Sequence, residues 1–120
     1  MSDQRKVVRK KLMSFTPVYD VNQKSLLGYV MNLSPLGLKV VGEKTVEINT
    51  DMLLKIEFPT DLPDIASRPV TVPARAIWCK QDDYIHNFNT GFEFTEVTPE
   101  QTKIFQAILT RYQFRQDMPS

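Results

Sequence analysis

The chain has 120 residues, 42% of them apolar and 24% charged, and a formal net charge of +1. That size buries one core without help from metals, and the single cysteine, Cys79, excludes an internal disulfide framework. No apolar run reaches membrane-spanning length and the N-terminus has no signal-peptide core, so a soluble protein of the cytoplasm is expected, without membrane insertion.

The near-neutral total hides an asymmetry. Within residues 1–12, Arg5, Lys6, Arg9, Lys10 and Lys11 face only Asp3, a balance of +4, while the remainder stands at −3. A basic arm on a mildly acidic body fits an anionic partner met by the arm, and equally a solvated tail. With only Val7, Val8 and Leu12 as apolar anchors, residues 1–12 read as a flexible arm.

From residue 13 to 97 short strand-like runs follow one another. Phe15 to Val21 and Leu26 to Leu33 are separated by the hairpin-like break Asn22-Gln23-Lys24-Ser25. Leu36 to Val41 follows a Ser34-Pro35 turn, and Met52 to Phe58 alternates apolar with polar residues. Residues 59–69 hold three prolines and two aspartates and read as a loop. Val70 to Lys80 alternates again, with Val70, Val72, Ala74, Ala76 and Trp78 on one side. After Gln81-Asp82-Asp83, a last strand runs from Phe88 to Val97. Six strands without intervening helices predict an all-β, antiparallel barrel or sandwich.

The C-terminus changes period. Thr98 as N-cap, Pro99 at the first helical position and Gln101 closing a capping box predict a helix over 99–115. Ile104, Phe105, Ile108, Leu109 and Tyr112 share one face, which reads as a lid on the sheet. Nothing divides the chain: one domain is expected over 1–120.

Two short signals carry the chemistry. Arg5 and Arg9 share a face, roughly 13 Å apart if the arm is extended and about 6 Å apart in a helical turn, so both reach one bulky dianion. Asn32 and Ser34 stand two apart at a strand end before Pro35, where they suit an Asx or Ser turn. Gly37 permits a close approach that a Cβ would block. The second signal is either a well-made hairpin turn or one that also faces a ligand.

Arg5-x-x-x-Arg9 followed by Asn32-x-Ser34-x-x-Gly37 resembles the paired signature of the PilZ domain family, bacterial receptors for the second messenger cyclic di-GMP. The likeness extends through Ala74-Arg75-Ala76-Ile77-Trp78 and Gly91-Phe92-Glu93-Phe94 to Thr98-Pro99-Glu100, nearly the full length. It implies a six-stranded antiparallel split barrel capped by one helix. It further implies cyclic di-GMP clasped between arm and turn, held by Arg5, Arg9, Asn32 and Ser34, with Gly37 giving clearance. The fork of an arginine matches guanine O6 and N7. Lys6, Lys10 and Trp78 are secondary candidates, although Trp78 reads equally well as core. Arg75 is either a third phosphate contact or a solvated residue. The resemblance also implies an ordered arm offering a new surface to a downstream protein, in motility or biofilm control.

An enzyme is not expected. His86 and Cys79 are the only histidine and thiol, zinc ligands are lacking, and no phosphate-binding glycine motif occurs, so neither metal nor cofactor is anticipated. One alternative is a PilZ-like adaptor that binds no nucleotide, as in type IV pilus assembly; proteins of that kind usually lack one or both motifs. A single-stranded nucleic-acid barrel would need basic residues and aromatics across a strand face, against the net acidic body here, so no nucleic-acid partner is expected.

Overall fold

The computed structural model describes residues 10–59, 69–82 and 87–115. Six strands close an antiparallel barrel: β2 (Pro17–Asp20), β3 (Ser25–Ser34), β4 (Gly37–Gly42), β5 (Asp51–Ile56), β6 (Val70–Gln81) and β7 (Phe88–Phe94), paired in the ring order β2–β3–β4–β7–β6–β5. Closure removes the barrel's sheet edges and gives every strand an inner and an outer face. Val18, Val30, Leu33, Leu38, Val40, Leu54, Ile56 and Val72 fill the interior. The small Ala74 and Ala76 lie opposite Phe94 and Phe92 on the neighbouring strand, an alternation of volume that packs a narrow barrel. The proline-rich stretch expected as a loop lies, but for its ends, outside the described residues.

Helix α1 (Pro99–Arg111) begins as expected, with Thr98 as N-cap, Pro99 in the first turn and both bonds of a capping box with Gln101. Phe105 and Ile108 are fully buried, and the Phe105 ring stacks on Phe94 at 5.2 Å. The helix is shorter than the 99–115 predicted. Tyr112 turns extended (φ −133°, ψ 154°), its N–H bonds Ile108 O, and the chain leaves as β8 (Tyr112–Gln113).

β8 pairs in parallel with β1 (Lys11–Leu12), and Met13 N–H donates to Gln113 O at 2.8 Å. Met13 is buried in the core. The base of the stretch expected as a free arm is therefore tethered to the chain beyond the helix.

Two bulges shape the outer face. Pairing of β3 with β4 passes from Val30↔Val40 to Asn32↔Lys39, with Met31 extra. Pairing of β6 with β7 passes from Ala76↔Phe92 to Trp78↔Gly91, with Ile77 extra. An extra residue inverts the in–out alternation of everything beyond it. Leu33 thus joins Val30 in the core, while Asn32 and Ser34 face out. Trp78, expected on the side of Val70 to Ala76, instead shares the outer face with Gly91.

Candidate functional site

The turn between β3 and β4 is two residues long, Pro35-Leu36, closing the pair Ser34↔Gly37. Ser34 Oγ accepts from Leu36 N–H at 3.1 Å and donates to Gly37 O at 3.4 Å, the serine turn expected. Phe94 N–H donates to Leu36 O at 2.9 Å, so the end of β7 pins the turn. Asn32 behaves differently from the expectation of a local backbone bond. It is exposed, and its amide has no hydrogen-bond partner among the described residues.

Gly37 is demanded by the sheet. A Cβ there would overlap the Phe92 carbonyl oxygen and lie 3.2 Å from the carbonyl carbon. The close approach the sequence called for is thus made by strand β7.

Pairing across four strands sets out the outer face in two rows. One runs Asn32–Lys39–Gly91–Trp78 and the other Ser34–Gly37–Glu93–Arg75, from β3 to β6. Glycine at the centre of each row leaves the middle low. The result is an open depression of about 530 Å³, bordered by Asn32, Ser34, Lys39, Glu93, Ile77 and Trp78. Trp78 is half-buried and lies on Gly91, where a Cβ would overlap indole Nε1 and Cε2. It is therefore a wall of the depression and no part of the interior. Leu36 and Ile77, 78% and 44% exposed, add an apolar rim.

Arg75 is exposed yet committed. Its Nε donates to Asp51 Oδ1 at 2.7 Å and its Nη2 to Oδ2 at 3.4 Å, across the directly opposed pair Asp51↔Arg75. The hydrogen bond from Arg75 holds the Asp51 carboxyl below the ordinary carboxylate range, and the same bond raises the guanidinium's pKa.

A second depression, about 350 Å³, adjoins the first and shares Asn32 with it. Lys10, Tyr112, Gln113 and Leu109 line it, so the base of the arm emerges beside Asn32. The structure thus brings Asn32, Ser34, Gly37, Trp78 and Lys10 to one side of the barrel. Arg5, Lys6 and Arg9 lie outside the described residues. Lys39 and Glu93 were missed by the sequence reading, although each stands two residues beyond a glycine of its strand and so shares that glycine's face. Among the described residues no cluster of histidine, cysteine and carboxylates could hold a metal ion, and no helix is long and apolar enough to cross a membrane.

The fold is similar to that of the Bacillus subtilis inhibitor of motility MotI/DgrA, with a TM-score of 0.61 and 17% sequence identity over 91% of this chain. The present chain spans about half the length of that structure (51%). No curated protein matches by sequence. The PilZ domain model matches residues 3–112, which takes in the arm, the whole barrel and the helix. The chain therefore belongs to the PilZ domain family, whose members are receptor and adaptor domains associated with cyclic di-GMP.

Proposed function

We propose that this protein is a non-catalytic receptor for cyclic di-GMP that works in the bacterial cytoplasm. One observation carries the reading. The bulge at Met31 turns Asn32 and Ser34 outward onto the depression, and the arm's base emerges at Lys10 beside the same Asn32. Arg9 is the next residue, and Arg5 is five residues from Lys10, a tether of at most about 18 Å when extended. Both guanidiniums are within reach of a ligand resting on Asn32. A volume of about 530 Å³ is within the usual span for small-molecule sites, roughly 300–1,000 Å³.

The arginines grip phosphate and the O6/N7 edge of guanine, each fork making two charge-assisted bonds. Asn32 offers an amide no described neighbour uses, and Trp78 a π-face for stacking. Lys10, Lys6 and Lys39 add charge without a planar fork. Ligand binding orders the arm across the barrel and presents a composite surface to a downstream protein. We place that output in motility or biofilm control, in keeping with the structural neighbour's description as a motility inhibitor.

Calorimetry with cyclic di-GMP tests the reading on wild type, Arg5→Ala, Arg9→Ala and Asn32→Ala. Losing one hydrogen bond to a charged group costs about 1.5–3 kcal/mol, so each arginine variant should bind roughly ten- to a hundredfold more weakly. Asn32→Ala is a cleaner test of the turn than Ser34→Ala, because Ser34 also closes the hairpin. No heat from the wild type at micromolar ligand would leave the nucleotide-free adaptor as the reading.

A further inference from the structure

The depression contains one carboxylate, in a place where a site for phosphates alone would be weakened by it. Glu93 is exposed on the outer face of β7, directly opposite Gly37 on β4 and Arg75 on β6. The arginine beside it attracts it through charge but makes no hydrogen bond to it. Arg75 directs its fork to Asp51 on the far side, and Glu93 takes part in no salt bridge among the described residues. Toward the turn nothing intervenes: Gly37 has no side chain, and Ser34 stands on its other flank. Two strand spacings, about 10 Å, separate the backbones of Ser34 and Glu93, enough for one purine ring with a hydrogen bond at each edge.

A free carboxylate in a low trough is suited to a paired-donor edge. Its two oxygens accept side by side and donate nothing. Guanine presents N1–H and the N2 amine as adjacent donors, whereas adenine offers the lone pair of N1 there, which a carboxylate repels. Hypoxanthine keeps N1–H and lacks the amine.

We propose that Glu93 accepts from N1–H and N2–H of a bound guanine and thereby selects guanine over adenine and hypoxanthine. The inference rests on the receptor reading above and extends it. Under that reading the arginines of the arm take the O6/N7 edge, so the two edges of one base are read by opposite sides of the site. Asp51 has an indirect part. By occupying the Arg75 fork it keeps the Glu93 oxygens available.

The test is competition binding on the full chain with cyclic di-GMP and its adenine and hypoxanthine analogues, for wild type, Glu93→Gln and Asp51→Asn. Wild type should favour guanine over hypoxanthine at least tenfold. Glu93→Gln should bind the guanine ligand about ten- to a hundredfold more weakly and the hypoxanthine ligand with a smaller loss, so that the ratio narrows. Asp51→Asn, which releases Arg75 toward Glu93, should narrow it in the same direction. Glu93 is exposed and Glu93→Gln is isosteric, so an unchanged thermal melt will show that the fold is intact. A wild type that binds cyclic di-GMP while Glu93→Gln keeps both its affinity and its ratio overturns the assignment of Glu93 alone. So does an equal gain for all three ligands, which would mark Glu93 as mere repulsion. A wild type that binds none of the three overturns the receptor reading, and this inference with it.

Discussion

Among the described residues, Asp51 and Arg75 are the one pair on the outer face with the geometry of a fork on a carboxylate, and their weight depends on pH. Because the hydrogen bond from Arg75 lowers the folded-state pKa of Asp51, the charged pair favours folding above the carboxylate's ordinary value of about 4. That contribution disappears as pH falls through the lowered value. Wild type should therefore melt above Asp51→Asn at pH 7, by an amount that shrinks with added salt, and the gap should be smaller at pH 2. An equal gap at both pH values would show that the asparagine acts by something other than charge. At this same scale the sequence was only partly legible. Arg75 alternates with alanines and so faces outward, as the pattern of that strand implies. Its partner lies 24 residues away on a neighbouring strand, and nothing local to either residue announces the pairing. Gly37 has a similar history. Its need for space was evident, but the occupant of that space is a carbonyl of β7, set by the pairing of strands far apart in sequence.

Among the elements, α1 was the most legible, because capping is chemistry between residues three apart. Thr98 and Gln101 make both bonds of the box, at 3.1 and 3.2 Å. The sequence did not reveal that Gln101 Nε2 also donates to Thr71 O at 2.8 Å, fastening the first turn of the helix to β6. Thr98→Ala should cost about 1 kcal/mol in urea denaturation. Gln101→Ala should cost more than Thr98→Ala, because it removes the return bond and the link to the strand together. Equal losses would mean the Thr71 contact adds nothing. The strands were also legible, as runs of alternating apolar residues with ends within a few residues of those observed. The helix's C-terminus was not. Its apolar stripe continues to Tyr112, and only the partner strand β1 explains why the chain leaves the helix there.

For the molecule as a whole, β1 and β8 join Lys11–Leu12 to the segment after the helix, beside the depression that Asn32 shares with Lys10. Truncation after Arg111 should free the Met13 amide for rapid hydrogen exchange, since its acceptor is Gln113 O, and should destabilise the core by removing the buried Phe114. Under the proposed receptor function it should also weaken cyclic di-GMP binding, because an untethered arm would lose more entropy on closing over the ligand. Unchanged exchange at Met13 would show that β8 does not hold the arm's base. By itself the sequence determined six antiparallel strands, one capped helix, a basic arm and the polar turn, since each follows from local alternation, capping or charge. The tertiary structure decided which way the candidate site residues point. With strict two-residue alternation Asn32 and Ser34 would follow Val30 into the core, and Trp78 would follow Ala76. One extra residue in each strand, Met31 and Ile77, inverts that order and turns all three onto one outer depression. A bulge is a mismatch between two paired strands, so neither strand's own sequence contains it.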